Sequence, residues 1–387
     1  MDSSLAQEIT MNLKTYITTL LLFASMAGSA QEVWTLDECV AYAIKNNLQI
    51  NDFELNTDSN KESYRQSVRN LLPIINGFAD YSINFGRSIN PENNSFVNTE
   101  FFSNNYSLQS SFDLFQGFQK INNIKASKFL YKATQEESLQ QKYLLAFRVM
   151  SAYYDIQFIQ GLIDIAKEQV QISQTNYDLV KKQVELGVMA GADLYEAESL
   201  LYADSLALTQ NENRLKAAKL TLLQAMNIEG ENDITLQPEL IAAGSFEKTE
   251  AMVSDSIFVA AKDFMPSIKA QEFRVKAATK QLSATRGGLY PSISLQGGIG
   301  TGYFETIRDS LGTTIPFRDQ IRDNTFKFIG ASLNVPIFGG WASRSRVKQQ
   351  KIALERAKNN AKITEQELYQ IIQQLVQEHE ALMAETV

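Results

Sequence analysis

The longest regular pattern in the chain is a seam of small and apolar residues. It passes through Leu145, Val149, Ala152, Ile156, Ile159, Ile163, Ala166, Val170, Ser173, Tyr177, Val180 and Val184, in alternating steps of four and three. Such steps make a seven-residue repeat, the seam of a left-handed coiled coil. Residues 117–186 around it lack proline and hold one internal glycine, Gly161, so they read as one helix. About 70 helical residues extend roughly 105 Å, well beyond the ~30–40 Å of an ordinary core. The element is a strut, a fibre or the wall of a tube. Gly187-Val188-Met189-Ala190-Gly191 interrupts the pattern. A second seam from Asp193, through Leu194, Ala197, Leu201, Asp204, Leu208, Asn211, Leu215, Ala218, Leu222 and Ala225, predicts a returning helix and an antiparallel hairpin. Asp204 and Asn211 are the polar members of that seam. They face a wet lumen, set the register or lie at a solvated edge.

Elsewhere the period is two. Ile75, Gly77, Ala79, Tyr81, Ile83 and Phe85 alternate with Asn76, Asp80, Ser82 and Asn84, and Phe78 breaks the rule. Tyr106, Leu108, Phe112 and Leu114 oppose Ser107, Gln109, Ser111 and Asp113. Ile293, Leu295, Ile299 and Tyr303 oppose Ser294, Gln296 and glycines, and Ile329, Ala331, Leu333, Val335 and Ile337 share one face. Each strand is expected to run about 10–13 residues, enough to cross a bilayer when tilted. A half-buried soluble sheet shows the same period. Long polar tips at 87–104 and 305–324, with direct continuation into long helices, favour an outer-membrane barrel. Four strands cannot close one, and unpaired edges in lipid are costly. Other copies must supply the rest: three would give twelve strands, two would give eight. Asp80 and Asp113, on the polar faces, either bias a lumen toward cations or are polar residues that tolerate water.

The chain is written twice. Leu71-Leu72-Pro73-Ile74-Ile75 returns as Leu289-Tyr290-Pro291-Ser292-Ile293, 218 positions later. Asn46-Asn47-Leu48-Gln49-Ile50 returns at the same shift as Phe264-Met265-Pro266-Ser267-Ile268. Leu114-Phe115-Gln116-Gly117-Phe118 returns as Ile337-Phe338-Gly339-Gly340-Trp341, shifted by 223. Each unit reads helix, strand, strand, long helix. The opening helix starts at Thr35, with Glu38 completing a capping box, and reaches about Asn70 with a break near Asn46-Asn47. Its copy covers 254–286 with a break at Pro266. Residues 31–253 form the first unit and 254–387 the second. The second long helix starts near Ser343, with a seam through Leu368, Ile372, Leu375, His379 and Leu382. By comparison with the first unit it stops about 20 residues early and lacks a returning helix, so the sequence reads as truncated.

Residues 11–30 read as a signal peptide. Lys14 gives the positive start, 17–24 the apolar core, and Gly28-Ser29-Ala30 the small-residue cleavage site. Met11 then reads as the natural start. No later stretch reaches 18 consecutive apolar residues, so any membrane crossing is by strands. A net charge of −8 argues against nucleic acid as a partner. One cysteine, Cys39, excludes an intramolecular disulfide, and one histidine, His379, excludes histidine pairs and triads. Gly297-Gly298-Ile299-Gly300-Thr301-Gly302 lacks the last glycine and following helix of a phosphate loop, and reads as glycines lining a strand. No acid–base or nucleophile constellation appears, so the chain reads as no enzyme, with no cofactor.

Taken together, Leu72-Pro73, residues 114–118, Leu186-Gly187-Val188, Tyr290-Pro291 and residues 337–341 resemble the TolC-like outer-membrane efflux proteins. The likeness extends from Thr35 to Val387. It implies a membrane α+β fold: a homotrimer in which each chain gives four strands to a 12-stranded β-barrel in outer-membrane lipid, continued by a coiled-coil helical barrel in the periplasm. Such ducts export small molecules or proteins, docking through a periplasmic adaptor onto an inner-membrane transporter. By the resemblance, Leu186, Gly187, Val188 and Gly191 match the adaptor-docking tip, and Asp193 matches an acidic entrance latch. The family's acidic constriction lies in the second hairpin, which this sequence does not reach. The competing reading is an exported coiled-coil scaffold without a pore.

Overall fold

The computed structural model describes residues 33–89, 94–98, 100–230, 233–238 and 254–385. The signal peptide expected at 11–30 lies outside them. In chain order the elements are β1 (Val33–Trp34), α1 (Leu36–Asn46), α2 (Leu48–Arg69), β2 (Ile74–Asn84), β3 (Arg87–Ile89), β4 (Phe96–Asn98), β5 (Phe101–Gln116), α3 (Gln119–Glu185), α4 (Gly191–Met226), β6 (Thr235–Leu236), α5 (Ser254–Phe264), α6 (Pro266–Gly287), β7 (Ser292–Phe304), α7 (Phe317–Asp323), β8 (Phe326–Asn334) and α8 (Ala342–Glu385). They fall into two compact units, residues 1–52 with 141–248 and residues 53–140 with 249–387.

The first of these units holds the helical hairpin. Helix α1 begins where Thr35 Oγ1 accepts from the Glu38 amide at 3.3 Å and the Glu38 carboxylate accepts from the Thr35 amide at 2.9 Å. This satisfies two of the helix's orphan donors. Thr35 holds the Glu38 carboxyl below the usual carboxylate range, first through its backbone N–H and then through its hydroxyl. Asn47, with ψ 123, ends the helix as expected. Its side chain accepts from the amides of Gln49 and Ile50 and so starts α2. The core joins Cys39, Ala43 and Ile50 to Leu145, Val149, Tyr153, Ile156, Ile159 and Ile163 of α3, and to Leu222, Leu223 and Met226 of α4. Each large aliphatic group buried there stabilises by about 1.5–3 kcal/mol. The predicted seam of α3 is the buried stripe, down to Ser173 and Val180. One core residue lies off it. Tyr153 is fully buried, and its hydroxyl donates at 2.6 Å to the carbonyl of Gln237, beside the parallel β1–β6 pair.

The second unit holds an antiparallel sheet in the order β2-β5-β7-β8. On one face Gly77, Leu108 and Ile299 line up, then Ala79, Tyr106 and Thr301. The other face carries Asp80, Asn105 and Gly302, with Gln109, Gly298 and Phe328. The 218 and 223 shifts carry one hairpin register into the other: Ile74↔Ser111 becomes Ser292↔Asn334, and Gly77↔Leu108 becomes Leu295↔Ala331. Both strand-to-helix junctions use two consecutive left-handed residues, Gly117-Phe118 and Gly340-Trp341. Below the sheet, Arg274 pairs with Glu137 at 2.6 Å and Phe129 stacks on Phe273 at 6.3 Å. A small core gathers Ala261, Ile268, Leu368, Ile372 and Val376.

Three expectations change. Strand β5 runs 16 residues and β8 only 9, so Val335 and Ile337 lie beyond the end of β8. The tips carry structure of their own: β3 pairs with β4, and α7 is anchored by Gln320, whose side-chain amide bonds both N–H and C=O of Phe304. The α8 seam passes from Ile372 to Val376, leaving Leu375 and Leu382 more than half exposed at 55% and 62%. Only Val376 extends the stripe that meets α5.

Candidate functional site

Three groups of residues stand out, and each is built by local chemistry. The first is the hairpin tip. Helix α3 ends because Gly187 adopts φ 75, a left-handed conformation that other residues resist. The Gly187 amide bonds the carbonyl of Val184 at 2.9 Å and the Val188 amide that of Gln183 at 2.9 Å, closing the helix with paired reverse bonds. The turn that follows leaves apolar side chains in water: Leu186 is 78% and Val188 73% exposed. Gly191 opens α4 with open space around its Cα. Asp193, the third residue of α4, accepts from the Ala190 amide at 3.1 Å and caps the returning helix. A carboxylate is also favoured there by the helix dipole. This capping bond is local and says nothing of a latch.

The second group lies on the hairpin seam. Asp204 accepts a short hydrogen bond from Ser173 Oγ on the facing helix, and one from Gln169 Nε2 at 3.3 Å. Ser173 is buried, so the carboxylate gives a buried hydroxyl its partner and ties the two helices in register. Asn211 is half-buried two helical turns on. Of the roles left open by the seam pattern, register is the one for which Asp204 has bonds in place.

The third group is the polar face of the sheet. Asp80 is exposed on the edge strand β2 opposite Asn105. Asp113 is not a bare charge: Lys120 Nζ sits 3.0 Å away and also donates to the carbonyl of Asn70 at 2.8 Å. The glycines of β7 make room on this face. A Cβ on Gly298 would lie 2.8 Å from the Phe328 ring and 2.9 Å from the Leu108 carbonyl oxygen. On Gly300 it would meet the Phe326 ring at 2.6 Å. These glycines seat aromatic rings of the neighbouring strand and lie within β7, which does not pass directly into a helix as a phosphate loop does. Sequence reasoning missed Tyr153, Ser173 and Lys120 as partners. Only the seam pattern, which contains Ser173, hinted at any of them.

Residues 40–227 match the model of the outer membrane efflux protein family. That match covers both helices of the hairpin, the tip between them and the first strand pair. That stretch of the chain belongs with this family. The chain is similar to the outer membrane efflux protein BepC of Brucella suis, 22% identical over 94% of this chain and 74% of that protein. It also resembles the cation efflux system protein CusC of Escherichia coli K12, 26% identical over 68% of this chain and 55% of that one. The chain therefore spans about half the length of CusC. Among solved structures, a crystal structure of CusC superposes with a TM-score of 0.74 at 20% identity, over 89% of this chain and 76% of that chain. The outer membrane protein VceC of Vibrio cholerae gives 0.72 at 15%, over 90% and 80%. The fold is thus that of outer-membrane channel proteins. The family match and the fold are those of outer membrane efflux channels, and the pore-free scaffold finds no support.

Proposed function

We propose that three copies of this chain form the outer-membrane exit duct of a tripartite pump, each giving four strands to a 12-stranded barrel. The reading is carried by one observation. The apolar face of the sheet is left bare, with Tyr81 70%, Ile329 87% and Leu333 66% exposed, while the chain runs on from the sheet into long helices. Lipid is the natural cover for such a face, and further copies are the natural partners of its edges. Export is passive guidance through the tunnel, with energy supplied by an inner-membrane transporter reached through a periplasmic adaptor. The exposed Leu186 and Val188, held out by the Gly187 turn beside Gly191, suit a hairpin of that adaptor. Asp193 is proposed as the entrance latch between copies, in addition to its cap. Asp80 is proposed to face the lumen. The relatives BepC and CusC are an outer membrane efflux protein and a cation efflux system protein, which supports the transport class.

The test is the mass, by light scattering, of detergent-extracted protein recovered from the outer-membrane fraction, together with cross-linking of Leu186→Cys to the adaptor. A trimer with tip cross-links is expected. A monomer or dimer outside the membrane would overturn the duct, and a trimer lacking tip cross-links would overturn the docking site.

A further inference from the structure

We infer the residue register at which one copy of this chain joins the next: β8 pairs antiparallel with β2 of the neighbour so that Ile329 faces Ile83, Ala331 faces Tyr81 and Leu333 faces Ala79. The inference rests on the assembly proposed above and adds what that reading leaves open. Its basis is the pairing of β5 with β7, the one pairing in the sheet between a strand of the first sequence repeat and a strand of the second. The two shifts already convert the β2–β5 hairpin into the β7–β8 hairpin without error. Applying 223 to β5 and 218 in reverse to β7 turns Tyr106↔Thr301 into Ile329↔Ile83 and Leu108↔Ile299 into Ala331↔Tyr81.

Three observations agree with this register. Side-chain parity is kept: Ile329, Ala331 and Leu333 meet Ile83, Tyr81 and Ala79 on the apolar face, while Ser332 meets Asp80 on the polar one. A slip by one residue would break that match. The unpaired stretch after β8 also has its explanation. In β5, pairing with β2 ends at Ser111, yet the strand continues to Gln116 because β7 lies on its other side. The counterpart of Ser111 is Asn334, where β8 stops. Residues 335–339 thus await the strand that would lie where β7 lies for β5, and Ile337 stands 94% exposed there. Pro336 takes the place of Asp113, beside the β5 bulge, a position where strands accept proline. Helices give the same answer. The Phe129–Phe273 stack maps onto Ile352 and the neighbour's equivalent of Leu55, which are 55% and 59% exposed. Equivalence loosens at one corner, where Arg69 stands for Gly287 and its Cβ must be accommodated.

The test is disulfide trapping in the full chain in its membrane. Native Cys39 is fully buried and does not interfere. Within one chain Ile329 stands across the sheet from Ile75, and Ile83 lies eight residues further along β2, about 30 Å away at the usual strand dimensions, so a bond between Ile329 and Ile83 joins two chains. Oxidising Ile329→Cys with Ile83→Cys should give a ladder of covalent oligomers. Ile329→Cys with Tyr81→Cys, or with Phe85→Cys, is displaced by two residues and should give roughly tenfold less. Hydrogen exchange on the unaltered protein needs no variant: amides within residues 335–339 should become protected in the assembled form. A trimer that cross-links best at a displaced pair, or that exchanges freely at 335–339, overturns the register while leaving the assembly standing. A monomeric wild type overturns both.

Discussion

Replacing Asp204 tests whether the seam carboxylate is a strut between helices or a spare charge. In Asp204→Ala the Ser173 hydroxyl, only 2% exposed, loses its acceptor, and so does Gln169 Nε2 at 3.3 Å. A hydrogen bond to an ionised group contributes about 1.5–3 kcal/mol, and the partial exposure of Asp204 favours the lower end, about 1.5. Ser173→Ala removes the donor and should cost about 1 kcal/mol. With both gone no buried hydroxyl is stranded, so the double variant should cost about 1.5 rather than 2.5, a coupling of about 1 kcal/mol. Helical circular dichroism during heating reads this unit, and about 2–4 °C per kcal/mol gives a loss near 3–6 °C for Asp204→Ala. Asp204→Asn keeps an acceptor while removing the charge, and should retain most of the stability. Single effects that add within about 0.5 kcal/mol in the double variant would refute the contact. An Asn variant as unstable as Ala would show that the charge itself, rather than the hydrogen bond, matters.

The other predictions concern the turn, the sheet and the first helix. Gly187→Val forces a branched residue into a left-handed conformation and should cost at least about 1–2 kcal/mol, seen as lower thermal stability of the hairpin. Leu186→Asp should instead leave the melting curve unchanged while abolishing adaptor capture in a pull-down. Gly298→Val drives a side chain into the Phe328 ring and the Leu108 carbonyl, and should cost about 1–3 kcal/mol and deplete the outer-membrane fraction in a membrane fractionation. The Glu38 carboxyl is held low by Thr35, so its cap should be intact above the ordinary glutamate range, about pH 4.3, and fade as pH falls through the lowered value. Protection of the Thr35 amide, followed by exchange-sensitive NMR, should decline over that acid window, and full protection retained at pH 2 would contradict it.

Much of the fold was legible in the sequence because it is set by near neighbours. The four-three seam of α3 is a property of helical period, and the helix runs through Gln119–Glu185 as that period requires. Thr35 with Glu38, the breaks at Asn47 and Pro266, and the reversal at Gly187 all act within a few residues of themselves. Period two placed the four strands, and the doubled motifs gave the shifts that relate them. What tertiary structure alone decided involves partners far apart in the chain. Pairing of β5 with β7 joins residues nearly 200 positions apart, and no local pattern states it. Strand β8 stops at Asn334, though its alternation runs on, because a strand needs a neighbour to bond. Asp113 pairs with Lys120, Asp204 meets Ser173 across the hairpin, and the hydroxyl of buried Tyr153 reaches the carbonyl of Gln237. Periodicity says which side of an element is turned inward; only the packed chain says what it meets there.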